Sequence, residues 1–145
     1  MIALGTGVMG VYLIAAAFSD IRTRHLHRWF LALGVIPAIL LRVGMGSISL
    51  PDTIGGIAVG CFFLAVSIFS GGRLGKADGV LLLYLGAALG FSCAAGLALL
   101  AFFFSALVMA FLLLRKRVGL KSSIPFIPFL LAAYIVVMFS VTAAL

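Results

Sequence analysis

"AFFFSALVMAFLLL", residues 101–114, is an apolar run in which Ser105 is the only polar residue. A membrane-spanning barrel strand alternates apolar and polar residues, so this run predicts a helix instead. The rest of the chain has the same character, since 66% of its 145 residues are hydrophobic and 9% are charged. Soluble domains are roughly half apolar and a quarter charged. The composition therefore predicts an all-α integral membrane protein.

Charged and glycine-rich segments divide the chain into six apolar segments. We predict a single transmembrane domain, residues 1–145, whose six helices lie near residues 2–19, 29–46, 52–70, 79–90, 91–114 and 124–144. The fourth and fifth segments form one uncharged run from Gly79 to Leu114. A crossing needs about 20 helical residues, so this run is too long for one helix and short for two. The stretch "GFSCAAG", residues 90–96, is the predicted turn between them.

Basic residues are concentrated in alternate predicted loops. The first, third and fifth loops hold nine of the ten basic residues: Arg22, Arg24, Arg28, Arg73, Lys76, Arg115, Lys116, Arg117 and Lys121. Cytoplasmic loops carry an excess of Lys and Arg, so these loops are expected to face the cytoplasm. They share one face only if residues 79–114 cross twice, which predicts both termini on the non-cytoplasmic side. Arg42 is expected at the opposite face, where it could snorkel from a helix end.

The net charge of +7 is consistent with a membrane-surface role. Basic loops interact favourably with anionic lipid headgroups, so membrane lipid is an expected partner. The sequence shows no basic patch interleaved with aromatic residues, and a nucleic-acid partner is therefore not expected.

Four potentially reactive side chains have ordinary structural explanations. Cys61 and Cys93 lie in apolar segments without a ligand-spaced cluster, so we expect them to fill helix interfaces. His25 and His27 lack further nearby Cys, Asp or Glu ligands apart from Asp20, which makes a poor metal site. We expect both histidines to face solvent or headgroups.

Two glycine pairs have the spacing that favours close helix contacts. They occur in "GIAVG", residues 56–60, and in "GAALG", residues 86–90. Small residues at this spacing let helix backbones approach closely in membranes. The pattern predicts helix packing and indicates little about function.

The chain has three acidic residues, all aspartates, and the predicted topology separates them. Asp20 follows the first span and Asp78 precedes the fourth, so both are expected at the cytoplasmic end. Asp52 lies between the second and third spans, at the opposite face. Since Asp52 follows Pro51 at a helix start, we predict that it is an N-cap.

Asp20 and Asp78, here called the dyad, have two possible roles. Two carboxyls in a partly dehydrated site share one proton, which suits peptide hydrolysis by an ionised base and a protonated acid. Alternatively, Asp20 pairs with Arg22 or Arg24, and Asp78 N-caps the fourth span. Local chemistry leaves both possibilities open.

The residues around the dyad resemble those of the type IV prepilin peptidases, which are GxGD-type intramembrane aspartyl proteases. That family has a D-x-R-[ST]-x-x-I-P-N pattern after its first helix, and "DIRTRHLHRW", residues 20–29, has the same register. The family's G-x-G-D motif corresponds to "GKAD", residues 75–78. "IPFIPFLLAA", residues 124–133, is similar to the family's proline-containing entry into its last helix.

The sequence also departs from the family pattern. His27 and Arg28 replace Pro-Asn, and Ala77 replaces the glycine before the second aspartate. Val80 replaces a lysine two residues after that aspartate, whereas Lys76 lies two residues before it. These changes bear on substrate fit and on activity.

The resemblance implies that Asp20 and Asp78 are the catalytic residues, with Gly75, Lys76 and Ala77 supporting the second motif. It implies removal of a short basic leader from prepilins or pseudopilins at the cytoplasmic face of the inner membrane, with no metal or cofactor. The larger members methylate the new N-terminus and carry an insertion with cysteine pairs. Such cysteine pairs do not occur in this sequence, so we expect peptidase activity alone.

Two other functions remain open from the sequence. A small transporter or proton-relay component would also carry acids near the membrane, although relays usually place them along its depth. A non-catalytic scaffold for pilus or secretion assembly would tolerate the departures from the family pattern. Loss of either carboxyl would distinguish an enzyme from a scaffold.

Overall fold

A computed structural model describes residues 1–23, 25–71, 75–119 and 124–144. These residues form helices joined by short connections and contain no strand. The helices are α1 (Ile2–Thr23), α2 (Arg28–Leu33), α3 (Val35–Met45), α4 (Leu50–Phe69), α5 (Lys76–Leu89), α6 (Phe91–Leu114) and α7 (Ile127–Ala144). Helices satisfy their own backbone hydrogen bonds, as lipid requires. The predicted all-α class is confirmed.

Among the described residues, five helical segments are long and apolar enough to cross a membrane: α1, α2 together with α3, α4, α6 and α7. Helix α5 has 14 residues, which corresponds to about 21 Å against about 30 Å for a bilayer core. The predicted fourth span is therefore present as a helix, but it is too short to cross alone. The turn before α6 lies at Gly90, inside the predicted stretch, and its φ of 85° suits glycine.

The predicted second span is broken into α2 and α3 at Gly34. Pro37 lacks the N–H that would bond to the carbonyl of Leu33, four residues earlier. The Tyr12 hydroxyl donates a hydrogen bond to the Phe30 carbonyl at 3.0 Å. The Gly34 N–H donates to the Leu31 carbonyl. A Cβ at Gly34 would lie 2.6 Å from that hydroxyl. Proline and an inserted side chain together explain the break.

Helix α5 is the most enclosed helix of the bundle and packs against α3, α4 and α6. Its contact with α4 is made through glycine. Gly56 and Gly86 face each other through their backbones, Gly60 lies against the backbone of Leu83, and a Cβ on Gly79 would lie 2.8 Å from the Leu64 Cα. The close helix contacts predicted from the glycine spacing are confirmed.

Two boundaries differ from the sequence prediction near the dyad. Helix α1 continues to Thr23 instead of ending near residue 19, so Asp20 lies inside its last turn. Helix α7 begins at Ile127 instead of residue 124, because Pro125 disfavours helical geometry in the residue before it. Hydropathy marks where lipid contact ends, whereas a helix continues as long as its backbone bonds are satisfied.

Candidate active site

Asp78 occupies the first turn of α5, three residues after the N-cap Gly75. Its carboxylate accepts a hydrogen bond from the Gly75 backbone N–H, and its own N–H donates to the Gly75 carbonyl at 3.1 Å. The first of these bonds is the half of a capping box that an N3 side chain supplies, whereas a backbone bond takes the place of the other half because Gly75 has no side chain. The alternative in which Asp78 is itself the N-cap is wrong, since Gly75 holds that position. The carboxyl is fixed by the turn that precedes it.

Asp78 lies below the end of the neighbouring helix. The next residue, Gly79, packs against Leu64 of α4, and α4 continues for five more residues to Phe69. At 1.5 Å per residue, Gly79 lies roughly 7 Å below the end of α4, and Asp78 lies one residue nearer that end. The Asp78 side chain is only 7% exposed. Its carboxyl is therefore held in a partly dehydrated position, on a helix that is not one of the five candidate membrane spans.

Asp20 reaches the same end of the bundle from α1, and we call this the dyad end. The residue is half-buried, and its Oδ2 accepts a hydrogen bond of 3.4 Å from the Ile127 N–H. Ile127 is the first residue of α7, so Asp20 lies at the N-terminal, positive end of that helix dipole. The Arg22 guanidinium lies over the Phe18 ring at 5.8 Å from its centroid. Arg24, the other predicted partner of Asp20, lies outside the described residues.

The two carboxyls influence each other. Burial raises the pKa of Asp78 most, the negative charge of Asp20 raises it further, and the Gly75 N–H lowers it, which leaves the pKa at about 7. Desolvation penalises a charged carboxylate, and a second negative charge nearby adds to that penalty. The structure thus brings together the two aspartates that the sequence predicted as a pair.

Asp52 lies at the opposite end of the bundle. Its Oδ1 accepts a hydrogen bond of 3.0 Å from the Phe91 N–H at the start of α6. Twelve residues of α5, about 18 Å, separate that end from Asp78. The prediction that Asp52 caps its own helix is wrong, because the N-cap of α4 is Ser49, whose side chain accepts from the Asp52 N–H at 3.4 Å. Asp52 instead caps a neighbouring helix.

Arg42 also lies at that opposite end, as predicted. Its guanidinium donates to the Thr53 hydroxyl at 2.9 Å and to the Ile48 carbonyl at 3.3 Å. It therefore ties the end of α3 to the start of α4 instead of extending towards headgroups.

The first, third and fifth predicted loops hold most of the basic residues. Those that the structure describes lie at the dyad end: Arg22, Arg28, Lys76, Arg115, Lys116 and Arg117. Arg73 and Lys121 fall outside the described residues. Within the second motif, Lys76 is exposed and Ala77 is half-buried. Val80, one of the departures, is also half-buried.

The cysteines are only partly as predicted. Cys93 packs half-buried against the core, whereas Cys61 is exposed on the surface of α4. The interface prediction is therefore wrong for Cys61. A thiol is apolar enough to face lipid as well as protein, and the sequence pattern does not separate the two.

Two contributors to the site were missed by sequence reasoning. The Ile127 N–H contacts Asp20 across 107 residues of chain, and the prolines of "IPFIPF" were the signal that a helix starts there. Thr23, at the [ST] position of the first motif, has its hydroxyl 2.8 Å from the backbone carbonyls of Ser19 and of His25 and can donate its proton to either. Thr23 thereby fixes the loop that follows Asp20.

One family of known proteins matches the chain. No curated protein and no solved structure gives a significant match to the chain. The sequence model of the type IV leader peptidase family matches residues 7–114. This match covers about three quarters of the chain and includes Asp20 and Asp78. The chain belongs to the type IV leader peptidase family, and is accordingly a multi-pass membrane protein of a peptidase family.

Proposed function

We propose that the chain is a membrane-embedded aspartyl endopeptidase with Asp20 and Asp78 as its catalytic pair. The observation that carries this proposal is the recessed carboxyl of Asp78, whose pKa is raised to about 7 by burial and by Asp20. A carboxyl that only caps a helix has no need of a second carboxyl beside it. A carboxyl whose pKa is shifted by burial and by one specific charged neighbour is typical of functional sites.

The pair hydrolyses a peptide bond through a bound water. The ionised carboxyl removes a proton from the water, whose oxygen attacks the scissile carbonyl carbon. The protonated carboxyl donates its proton to the carbonyl oxygen. When the C–N bond breaks, the departing amine takes up a proton from the first carboxyl, and one hydroxyl of the tetrahedral intermediate returns its proton to the second carboxyl as the new carbonyl forms. The pair titrates as a unit, and the more buried Asp78 is the member on which the shared proton mainly resides.

The proposed substrates are prepilins or pseudopilins, cut between a short basic leader and an apolar helix. Family membership supports a leader-peptide substrate. The carboxyl of Asp78 is recessed and partly dehydrated, which supports a scissile bond that lies beside an apolar segment of the substrate. Because the dyad end is itself basic, a basic leader gains little affinity from loop charge, and the apolar helix supplies the binding energy.

The proposed topology has six membrane helices, with the dyad at the cytoplasmic face and both termini outside. Helix α5 need not span lipid, because it is enclosed by α3, α4 and α6. It connects the dyad end to the end where Asp52 meets Phe91. The basic residues gathered at the dyad end support a cytoplasmic position for the dyad, in the cytoplasmic (inner) membrane.

The test is leader cleavage by purified protein in liposomes, with candidate prepilins as substrates. Asp20→Asn and Asp78→Asn are each expected to abolish cleavage. Asp52→Asn keeps an acceptor for the Phe91 N–H and is the matched control, which is expected to cleave like the wild type. If the wild type cuts and Asp20→Asn still cuts, the aspartyl mechanism is wrong. A scaffold or a transporter would show no cleavage in any of the four proteins.

A further inference from the structure

Three phenylalanine rings pack against one another across the bundle. The ring of Phe63 on α4 stacks on that of Phe102 on α6, with centroids 5.0 Å apart and planes at 28°. The Phe102 ring packs in turn on Phe126, which directly precedes α7, with centroids 4.9 Å apart. Both separations lie within the range of favourable aromatic pairs. We call Phe63, Phe102 and Phe126 the aromatic row.

The middle ring of the aromatic row lies level with Asp78. Gly90 is the turn between α5 and α6. Asp78 lies twelve residues before Gly90 and Phe102 twelve residues after it, so each is about 18 Å from the turn along its own helix. Helices α5 and α6 also pack against each other. The aromatic row therefore crosses the bundle at the depth of the dyad.

One end of the aromatic row carries the peptide group that contacts Asp20. The Phe126 carbonyl accepts from the N–H groups of Phe129 and Leu130 at 3.0 and 3.1 Å, which closes the first turn of α7. That carbonyl and the Ile127 N–H belong to one planar peptide group, so they move together. The Ile127 N–H donates to Oδ2 of Asp20 at 3.4 Å, which is long for such a bond. A small displacement of Phe126 would therefore break it.

The other end of the aromatic row lies beside the support of Asp78. Phe63 is followed in α4 by Leu64, and a Cβ on Gly79 would lie 2.8 Å from the Leu64 Cα. Gly79 follows Asp78 directly in α5. In lipid, apolar surface gains little by leaving its solvent, so close packing of this kind keeps helices in register. The aromatic row thus connects the peptide group that orients one carboxyl with the helix position that supports the other.

We propose that the aromatic row is a positioning element, which sets the separation of the Asp20 and Asp78 carboxyls. The inference rests on the proposed peptidase function, in which the two carboxyls share one proton. The rings act through Ile127 and Leu64 and not on the substrate. Their effect on the rate follows because catalytic groups lose activity with small misplacements.

The separation of the carboxyls has a consequence for pH dependence. Burial raises the pKa of Asp78 most, and the negative charge of Asp20 raises it further, to about 7. An Asp20 carboxylate that loses the Ile127 N–H is expected to turn away from its like-charged neighbour, so the pKa of Asp78 falls. In α3, α4 and α6 the charged residues are Arg42 and Asp52, both at the opposite end. The other described titratable groups of the dyad end are exposed: Arg22, His25, His27, Arg28, Lys76, Arg115, Lys116 and Arg117.

The test is the pH profile of kcat in liposomes, with a prepilin that the wild type cleaves as substrate. Phe102→Leu keeps an apolar side chain and removes the ring. We expect its kcat to fall by about tenfold with little change in KM, because the carboxyls are displaced and the substrate contacts are not. The decline of its kcat at high pH is expected to lie about 0.5 pH lower than in the wild type. Phe126→Leu is expected to act in the same direction, whereas Phe102→Tyr keeps the ring and the wild-type profile.

Two controls separate positioning from general damage. Phe103→Leu makes the same change one residue further along α6, where the side chain is 59% exposed, and the wild-type kcat and profile are expected. Asp52→Ala removes the acceptor of the Phe91 N–H at the opposite end, so it lowers stability and is expected to keep the wild-type profile. The melting temperature in detergent shows whether each variant is folded, and Phe126→Leu carries the test if Phe102→Leu does not fold.

Infrared titration of the Asp78 carboxyl, identified by its loss in Asp78→Asn, follows the same proton without substrate. If folded Phe102→Leu and Phe126→Leu keep the wild-type kcat and profile, the inference is overturned while the proposed function stands. An equal loss of kcat in Phe103→Leu would overturn it as well. If the wild type cleaves no prepilin, the proposed function falls. The positioning role then survives only if the infrared titration moves to lower pH in Phe102→Leu and stays unchanged in Phe103→Leu.

Discussion

Gly75 and Asp78 fit together so closely that a Cβ placed on Gly75 would lie 2.7 Å from Oδ2 of Asp78. Gly75 has φ of −60° and ψ of 129°, a conformation that any residue adopts. Its importance is therefore the contact itself and not the backbone geometry. The absent side chain leaves the space in which the carboxyl of Asp78 rests.

Gly75→Ala is expected to displace the Asp78 carboxyl and to lower kcat by about tenfold or more, since catalytic groups lose activity with small misplacements. The apparent melting temperature in detergent should stay close to that of the wild type, because Gly75 is exposed. Gly96→Ala is the matched control, since a Cβ there meets no atom within 4 Å. Wild-type cleavage by Gly75→Ala would show that the position of the carboxyl is not critical.

The pH dependence of cleavage should follow the shared proton of the dyad. Because the pKa of Asp78 is raised to about 7, the carboxyl stays protonated below that pH and ionises above it. The reaction needs one protonated and one ionised member, so kcat is expected to fall as pH rises through about 7. A rate profile in liposomes between pH 5 and about pH 9 measures this. A rate that is unchanged or rises across this range would contradict the proposed proton on Asp78.

Asp52→Ala should destabilise the bundle without altering the chemistry. The substitution removes the acceptor for the Phe91 N–H and leaves the start of α6 uncapped. Loss of a cap costs about 1–2 kcal/mol, which would appear as a lower apparent melting temperature. The kcat of the surviving folded protein should equal that of the wild type, because the dyad lies at the other end. A lost kcat with unchanged stability would assign Asp52 a catalytic role instead.

Gly60→Ala should separate α4 from α5. A Cβ on Gly60 would overlap the backbone of Leu83, which cannot move aside as a flexible side chain could. Overpacking of this kind costs about 1–3 kcal/mol, and the displaced α5 carries Asp78 with it. We expect a lower melting temperature together with reduced cleavage. Gly7→Ala adds the same methyl group in open space and is expected to leave both unchanged.

Much of the architecture could be predicted because lipid leaves few alternatives to helices. Apolar runs located six helical segments, one of which is divided into α2 and α3, and Gly90 was recognisable as a break before α6. The break at Gly34 was also present in the sequence as glycine near proline, but its cause includes Tyr12 from another helix. Contacts between distant residues of this kind have no local sequence signal.

The candidate site was likewise predictable where the signal is local in sequence, and not where it depends on contacts between helices. Asp20 and Asp78 were recognisable because a charge beside an apolar run is costly and needs a reason. The recess of Asp78 depends on how far α4 extends past α5, and the partner of Asp52 depends on which helix start lies nearest. Both depend on the register in which the helices pack against each other through their glycines. A single sequence does not reveal that register.

The hydrogen bond between Asp20 and the Ile127 N–H gives the protein an order of assembly. Asp20 is synthesised early, but its donor lies 107 residues later, at the start of the last helix. During translation, the first carboxyl enters the membrane long before the group that orients it. The proposed catalytic pair gains this hydrogen bond only when α7 docks against α1, so we expect the nascent chain to stay inactive until its final helix is in place.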